Sequence, residues 1–304
     1  MPERKFGWIK SKYDPRDYLH KRGVYPIPDK HSLAQYLTPV RDQGNQGACV
    51  GFGIGINLNS VKMQLKIGIY NDVDNIDLWA SPRYIYNGAR FIEGTLPIDI
   101  GCDPKDALEW TLMHGILDEH YWPYVDALLD RSAPSTTRMK QANRYKDFAY
   151  FRCVDGTEGI CDAISSNHFV SLGSPWFNEW RETNECGRLK KPTSSSFQIG
   201  GHETCLFEYD MNEGVFKGVN SWGTSWGHNG LFIMPFESFS LFKDRGGYDA
   251  HYITFTKDID TSPIPEPPAP SPCPWGNNIA RVLNKIFLLE ERNRKGRFYY
   301  GSRS

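Results

Sequence analysis

The sequence predicts an α+β protein in two halves, helices first and strands later. Two observations carry this. From about Ala48 toward Ile67 apolar residues recur every three or four positions, the helical period, and two further helical segments follow up to Met113. Beyond Trp122-Pro123-Tyr124, over 145–175 and 204–256, β-branched and aromatic runs are broken by Gly, Asn and Asp and read as strands and turns. Segregated helices and strands make an α+β arrangement. The nine Trp residues supply the bulk for a well-filled core.

The elements follow in order. Residues 1–37 are rich in Pro, Lys, Asp and Tyr and lack periodicity, so they read as an extended lead-in lying over a domain. A helix is expected from about Ala48 toward Ile67, with Val50, Ile54, Leu58, Val61 and Leu65 on its apolar stripe. Gly51, Gly53 and Gly55 oppose it, each costing about 1 kcal/mol relative to alanine. They make sense only if something packs close to the helix backbone. A second helix is expected over Ser81–Arg90, with Pro82 in its first turn, and a third over Pro104–Met113. The helical half therefore covers about 38–144 and the strand half about 145–257. Residues 258–276 contain SPIPEPPAPSPCPW, a proline-rich linker. In 277–304, Asn278 caps a stripe of Ile279, Val282, Leu283, Ile286 and Leu289 ahead of a basic end. That tail reads as a docking peptide for a protein partner, the other reading being a helix folded back on its own domain.

Composition excludes several classes. Lys and Arg total 35 against 36 for Asp and Glu, so no charge excess points to nucleic acid. No apolar run approaches the roughly 20 residues that cross a bilayer, so no membrane partner is expected. The opening MPERKFGWIKSKYDPRDY has no signal-peptide core, which suggests a cytoplasmic protein or one carried in a virus or phage particle. Seven scattered cysteines form neither a dense disulfide framework nor a C-x-x-C pair and suit a reduced compartment. Cys153, Cys161 and His168 share one stretch but lack a second close ligand pair, so no metal site is assigned. No cofactor motif appears either: GFGIG is neither G-x-G-x-x-G nor a P-loop.

Chemistry concentrates in three segments. In DQGNQGACVGF, Cys49 stands at the first turn of the expected helix, where free N–H groups and the helix dipole favour a thiolate. His202 follows Gly200 and Gly201, which permit close approach of another segment, and opens the strand HETCLFEYD. Asn220 ends another strand in VNSWGTSWGHNGLF. An asparagine there can accept an imidazole N–H, and a following Trp can shield that bond.

These segments, QGNQGACVGF, GGHETCLFEYD and NSWGTSWGHNGLF, resemble in order the nucleophile, histidine and asparagine segments of papain-like cysteine peptidases. With LWASPRYIYNGAR, ALEWTLMHGI and YWPY between them, the likeness covers about residues 38–256. It implies a two-lobed fold, a helical left half and a β-barrel right half with a cleft between them. It implies Cys49 as nucleophile, His202 as its ion-pair partner and general acid/base, Asn220 as the group orienting His202, and Gln43 as oxyanion donor with the Cys49 backbone N–H. Trp222 would cover the His202–Asn220 bond, whereas Trp226 reads as ordinary core. Gly201, Glu203 and Trp222 would border the substrate.

Three positions depart from the family's pattern: Val50 replaces a tryptophan, Gln46 a frequent cysteine, and Glu203 a small residue. Two readings stay open for Glu203: a pocket favouring basic or polar side chains at the second residue on the acyl side of the cut, or a side chain turned to solvent. The family's long helical pro-segment is not evident, and GWIKSKYDPRDY is expected near the cleft, restraining it. The implied function is a cysteine endopeptidase acting on peptide or protein through an acyl-enzyme, without cofactor or metal. The alternatives are a docking component of a larger assembly that keeps the fold, and an acyl transferase or deamidase using the same residues.

Overall fold

The protein is described here by a computed structural model over residues 4–66, 74–127, 129–142, 148–193 and 195–255. Helix α1 (Cys49–Gln64) is buried along nearly its whole length. Its glycines are explained by what it packs against. A Cβ on Gly51 would lie 2.6 Å from the Pro82 carbonyl oxygen, and one on Gly53 would lie 2.6 Å from the Glu203 side chain. The helix is thus wedged between the helical half on one side and the sheet on the other.

Helix α2 (Pro82–Glu93) starts where the Ser81 side chain accepts the Tyr84 N–H and stops at Gly94, whose φ of 70° is left-handed. Helix α3 (Pro104–His114) is capped by Asp103, which accepts the Lys105 N–H. Helix α4 (Thr136–Ala142) follows. All three expected helices are present, displaced by a few residues at their ends.

The second half is antiparallel sheet. Strands β2 (Phe148–Arg152), β3 (Val170–Phe177), β4 (Gln198–Asp210), β5 (Val215–Val219), β6 (Leu231–Pro235) and β7 (Asp249–Phe255) pair in the order β2-β7-β3-β4-β5-β6, and β1 (Lys30–Ser32) adds to β4. Two stretches read as strand in the sequence are helices: α5 (Gly156–Ser165) and α6 (Ser238–Asp244). In α5 the buried Ile160, Cys161 and Ile164 share one helical face, and in α6 Phe239 and Phe242 do the same. Local β propensity yields here to burial of one face against the sheet.

One hydrophobic core surrounds α1 and reaches Tyr150 and Ile253 on the sheet; a larger one lies among β3–β6 around Trp176, Trp222 and Trp226. The N-terminal segment lies across both halves. Trp8 bridges Cys102 in the helical half, Leu19 bridges Arg152 on β2, and β1 joins β4. The linker 258–276 and the tail 277–304 lie outside the described residues. Among the described residues no helix is long and apolar enough to cross a membrane.

Candidate active site

Cys49 is the first residue of α1, preceded by Ala48, which has no side-chain oxygen to cap the helix. The cap supplies no side-chain acceptor, and the backbone of Glu203, Gly7 and Val50 around the sulfur favours the thiolate. The expected low thiol pKa does not result. Cys49 is fully buried, and burial pushes the thiol up to about 12, outweighing those backbone groups. In this state Cys49 is a neutral thiol.

His202 lies on β4 beside Ser174 of β3. Its Nε2 is 2.7 Å from Asn220 Oδ1, which also accepts the Ser221 N–H at 2.7 Å. A shared acceptor at Oδ1 assigns the ring proton to Nε2 and leaves Nδ1 as a lone pair. Nδ1 is buried with no hydrogen-bond partner among the described residues. Burial pushes the imidazole down to about 4, against the opposing pull of Asn220 and with a smaller push from Arg4. Burial thus disfavours charge on both groups.

The aromatic cover is broader than expected. The Trp222 ring lies 4.9 Å from the His202 ring, as the sequence suggested, but Trp176 lies closer, at 4.7 Å, and Phe6 at 6.0 Å. Nothing in the run around Trp176 marks it as a neighbour of His202; strand pairing puts it there. Trp226 donates its indole N–H to the Arg181 carbonyl and belongs to the core.

Gln43 is clamped. Ser221 Oγ donates to its Oε1 at 2.6 Å, its Nε2 donates to the Gln46 carbonyl at 2.8 Å, and its backbone N–H donates to the Ser221 carbonyl at 2.8 Å. The loops carrying Gln43 and Asn220 are thereby tied together. Gln46, where a family cysteine is frequent, instead bonds Arg83 and the carbonyls of Val125 and Asp126. The six cysteines among the described residues are free thiols.

The N-terminal segment lies on this site. Gln43 Nε2 also donates to the Lys5 carbonyl at 3.2 Å. The Gly7 and Trp8 N–H groups both donate to the Gly201 carbonyl, at 3.1 and 3.0 Å, while Cys102 N–H donates to the Gly7 carbonyl at 2.9 Å. Arg4 pairs with Asp42 and donates to the Trp222 carbonyl at 3.0 Å. The Trp8 indole enters the interior and donates to Asp249 Oδ2 at 3.0 Å. Asp249 is also bonded by Lys10 Nζ at 2.7 Å and the Ser11 N–H at 2.8 Å.

Glu203 sits beneath this segment, 1% exposed, so the reading that turns it to solvent is wrong. Neither carboxyl oxygen has a hydrogen-bond partner among the described residues, and burial raises its pKa well above the usual carboxylate range. Its stem lies against Gly53 of α1, which holds it inward. Asp249 was not singled out in the sequence, since one Asp at the start of a strand carries no motif.

Comparison with known proteins shows the family and the fold. A family model described as papain family cysteine protease matches residues 28–239. An uncharacterized peptidase C1-like protein of Acanthamoeba polyphaga mimivirus is 27% identical over 264 residues, 77% of this chain and 82% of that one. Cysteine proteinase 1 of Entamoeba histolytica is 26% identical over 204 residues, 66% of this chain and 61% of that one. In fold, the chain is similar to xylellain, a cysteine protease from Xylella fastidiosa, with a TM-score of 0.72 and 24% identity over 84% of this chain and 99% of that one.

Proposed function

Since this chain belongs to the papain family of cysteine proteases, we propose that it is an endopeptidase with Cys49 as nucleophile, held latent by its own N-terminal segment. The observation that carries this is the Lys5 carbonyl, a peptide oxygen already bonded to the Gln43 side-chain amide, with Gly7, two residues on, lying by the buried Cys49. Substrates are peptides or proteins.

The chemistry follows from the free lone pair on His202 Nδ1. With the segment displaced, Nδ1 takes the Cys49 proton and the sulfur attacks a substrate carbonyl carbon. Negative charge collects on the carbonyl oxygen, which the Gln43 Nε2–H and the Cys49 N–H receive. One such donor is worth about 3 kcal/mol at the transition state. The imidazolium then returns the proton to the departing amine, leaving a thioester on Cys49. Water, deprotonated by His202, hydrolyses it. Asn220 keeps the proton on Nε2 throughout and so keeps Nδ1 available.

Latency rests on what meets the sulfur. Gly7 lies by it, with its N–H on the Gly201 carbonyl and its own carbonyl oxygen on the Cys102 N–H, so that carbonyl is not held by the Gln43 amide. Covalent linkage holds the segment at high effective concentration, and cutting it lets the piece dilute away. Tyr13, Tyr18 and Tyr25 are 78%, 67% and 82% exposed, so chymotrypsin can cut the segment in the folded chain.

The test labels intact and chymotrypsin-cut chain with an epoxide inhibitor of papain-like enzymes at about pH 6 and maps the adduct by mass spectrometry. Expected is labelling at Cys49, much faster after the cut and lost in His202→Ala. A cut chain that stays unlabelled overturns the assignment.

A further inference from the structure

We propose that the pocket filled by Trp8 is built for a lysine or arginine side chain of the substrate, received between Glu203 and Asp249. This rests on the peptidase reading above and names the substrate class of that site.

The pocket is framed by three paired strands. Gly173 on β3 stands opposite Glu203 on β4 and, on its other side, opposite Asp249 on β7. Residues in register across neighbouring strands present their side chains to the same face. Two carboxyl groups therefore flank a position that has no side chain. With strands about 4.8 Å apart, their backbones stand roughly 10 Å from one another, room enough for one flat or extended group. The Trp8 indole occupies that gap: a Cβ built on Gly173 would collide with both the indole and the Glu203 carboxyl.

The N-terminal segment compensates this pocket only in part. Asp249 receives the indole N–H, the Ser11 N–H and the Lys10 ammonium. Arg152 of β2 reaches it at 3.4 Å from the protein's own wall. Asp103, nearby, takes the Ser11 hydroxyl. Glu203 receives nothing. When the segment leaves, Trp8, Lys10 and Ser11 leave together, and the wall retains two carboxylates against one arginine. A buried carboxyl without a donor is costly, and an ammonium or guanidinium is the group that satisfies it. A leucine or phenylalanine in the same gap would leave Glu203 without a donor and Asp249 with Arg152 alone. The rest of the segment follows the same pattern, Arg4 lying on Asp42 and Lys5 on Asp99.

The test uses the folded full chain cut by chymotrypsin, which is then blocked with a protein inhibitor. Two fluorogenic dipeptides share the residue at the scissile bond and differ at the second, arginine or leucine. Expected is a kcat/KM for the arginine peptide at least about tenfold above the leucine peptide, with Glu203→Gln and Asp249→Asn each lowering that ratio several-fold. A leucine peptide cleaved as well as or better than the arginine peptide overturns the inference and leaves the peptidase reading standing. A ratio unchanged in both variants also overturns it. Cleavage of neither peptide, with Cys49 unlabelled by the epoxide, overturns both readings.

Discussion

Gln43 Nε2 lies 3.2 Å from the carbonyl oxygen of Lys5, thirty-eight positions away in the chain. That bond joins the N-terminal segment to the loop just ahead of α1, and the next residues, Phe6 to Trp8, continue across the site. Phe6 covers the His202 ring, Gly7 covers the sulfur, and Trp8 fills the pocket over Gly173.

The segment should therefore loosen when its anchor is cut back. Trp8→Ala in the full chain removes a nearly buried indole and the bond to Asp249. Loss of a large buried aromatic is worth about 3 kcal/mol, or about a hundredfold in the population of the open form. Cys49 alkylation by a small neutral reagent should accelerate by a comparable factor. An unchanged rate would mean the segment does not gate the thiol.

Gln43→Ala separates binding of the oxyanion from reactivity of the sulfur. In the cut chain, kcat/KM should fall about a hundredfold, while Cys49 still reacts with a small alkylating agent. If peptide cleavage persists at the parental rate, the oxyanion is received elsewhere.

Two buried groups give the covered state opposite pH slopes. His202 is lowered, to about 4, so its contribution to the cover is present above its ordinary value of 6.5 and is lost as pH falls toward 4. Glu203 is raised, so its contribution is present below 4.5 and is lost as pH rises. In Glu203→Gln only the histidine slope remains. Hydrogen-exchange protection of the Gly7 and Trp8 amides in that variant should fall as pH drops from 6.5 to 4. Constant protection across that window would show that His202 does not titrate on opening.

Away from the site, Glu93 and Asp106 face each other between α2 and α3. Burial raises them to about 7 and about 6, and Glu93 also accepts the Asp103 N–H at 2.7 Å. Raised carboxyls stabilise below their unfolded pKa values and lose that contribution as pH rises through the folded ones. Glu93→Gln keeps the acceptor and removes the titration. Its Tm should exceed the parent's at pH 8 and converge on it toward pH 5, as read by thermal melts. A pH-independent difference would refute the coupling.

Elements whose information is contiguous can be read from the chain before it folds. Cys49 at a helix start, His202 after two glycines, Asn220 before Ser221-Trp222, and Gln43 six residues ahead of Cys49 are all legible in short runs. The glycines of α1 announced a close neighbour without naming it. The tertiary structure alone decided what those residues meet. Trp8 and Asp249 are 241 positions apart, and no local pattern links an indole near one end to a carboxylate near the other. The same holds for Trp176 beside His202, and for α5 and α6, where sheet packing overrode β propensity. The ionisation of Cys49 and His202 was likewise decided by tertiary structure. A helix start favours a thiolate, but desolvation under the N-terminal segment is the larger effect, and desolvation depends on which distant residues close over the site.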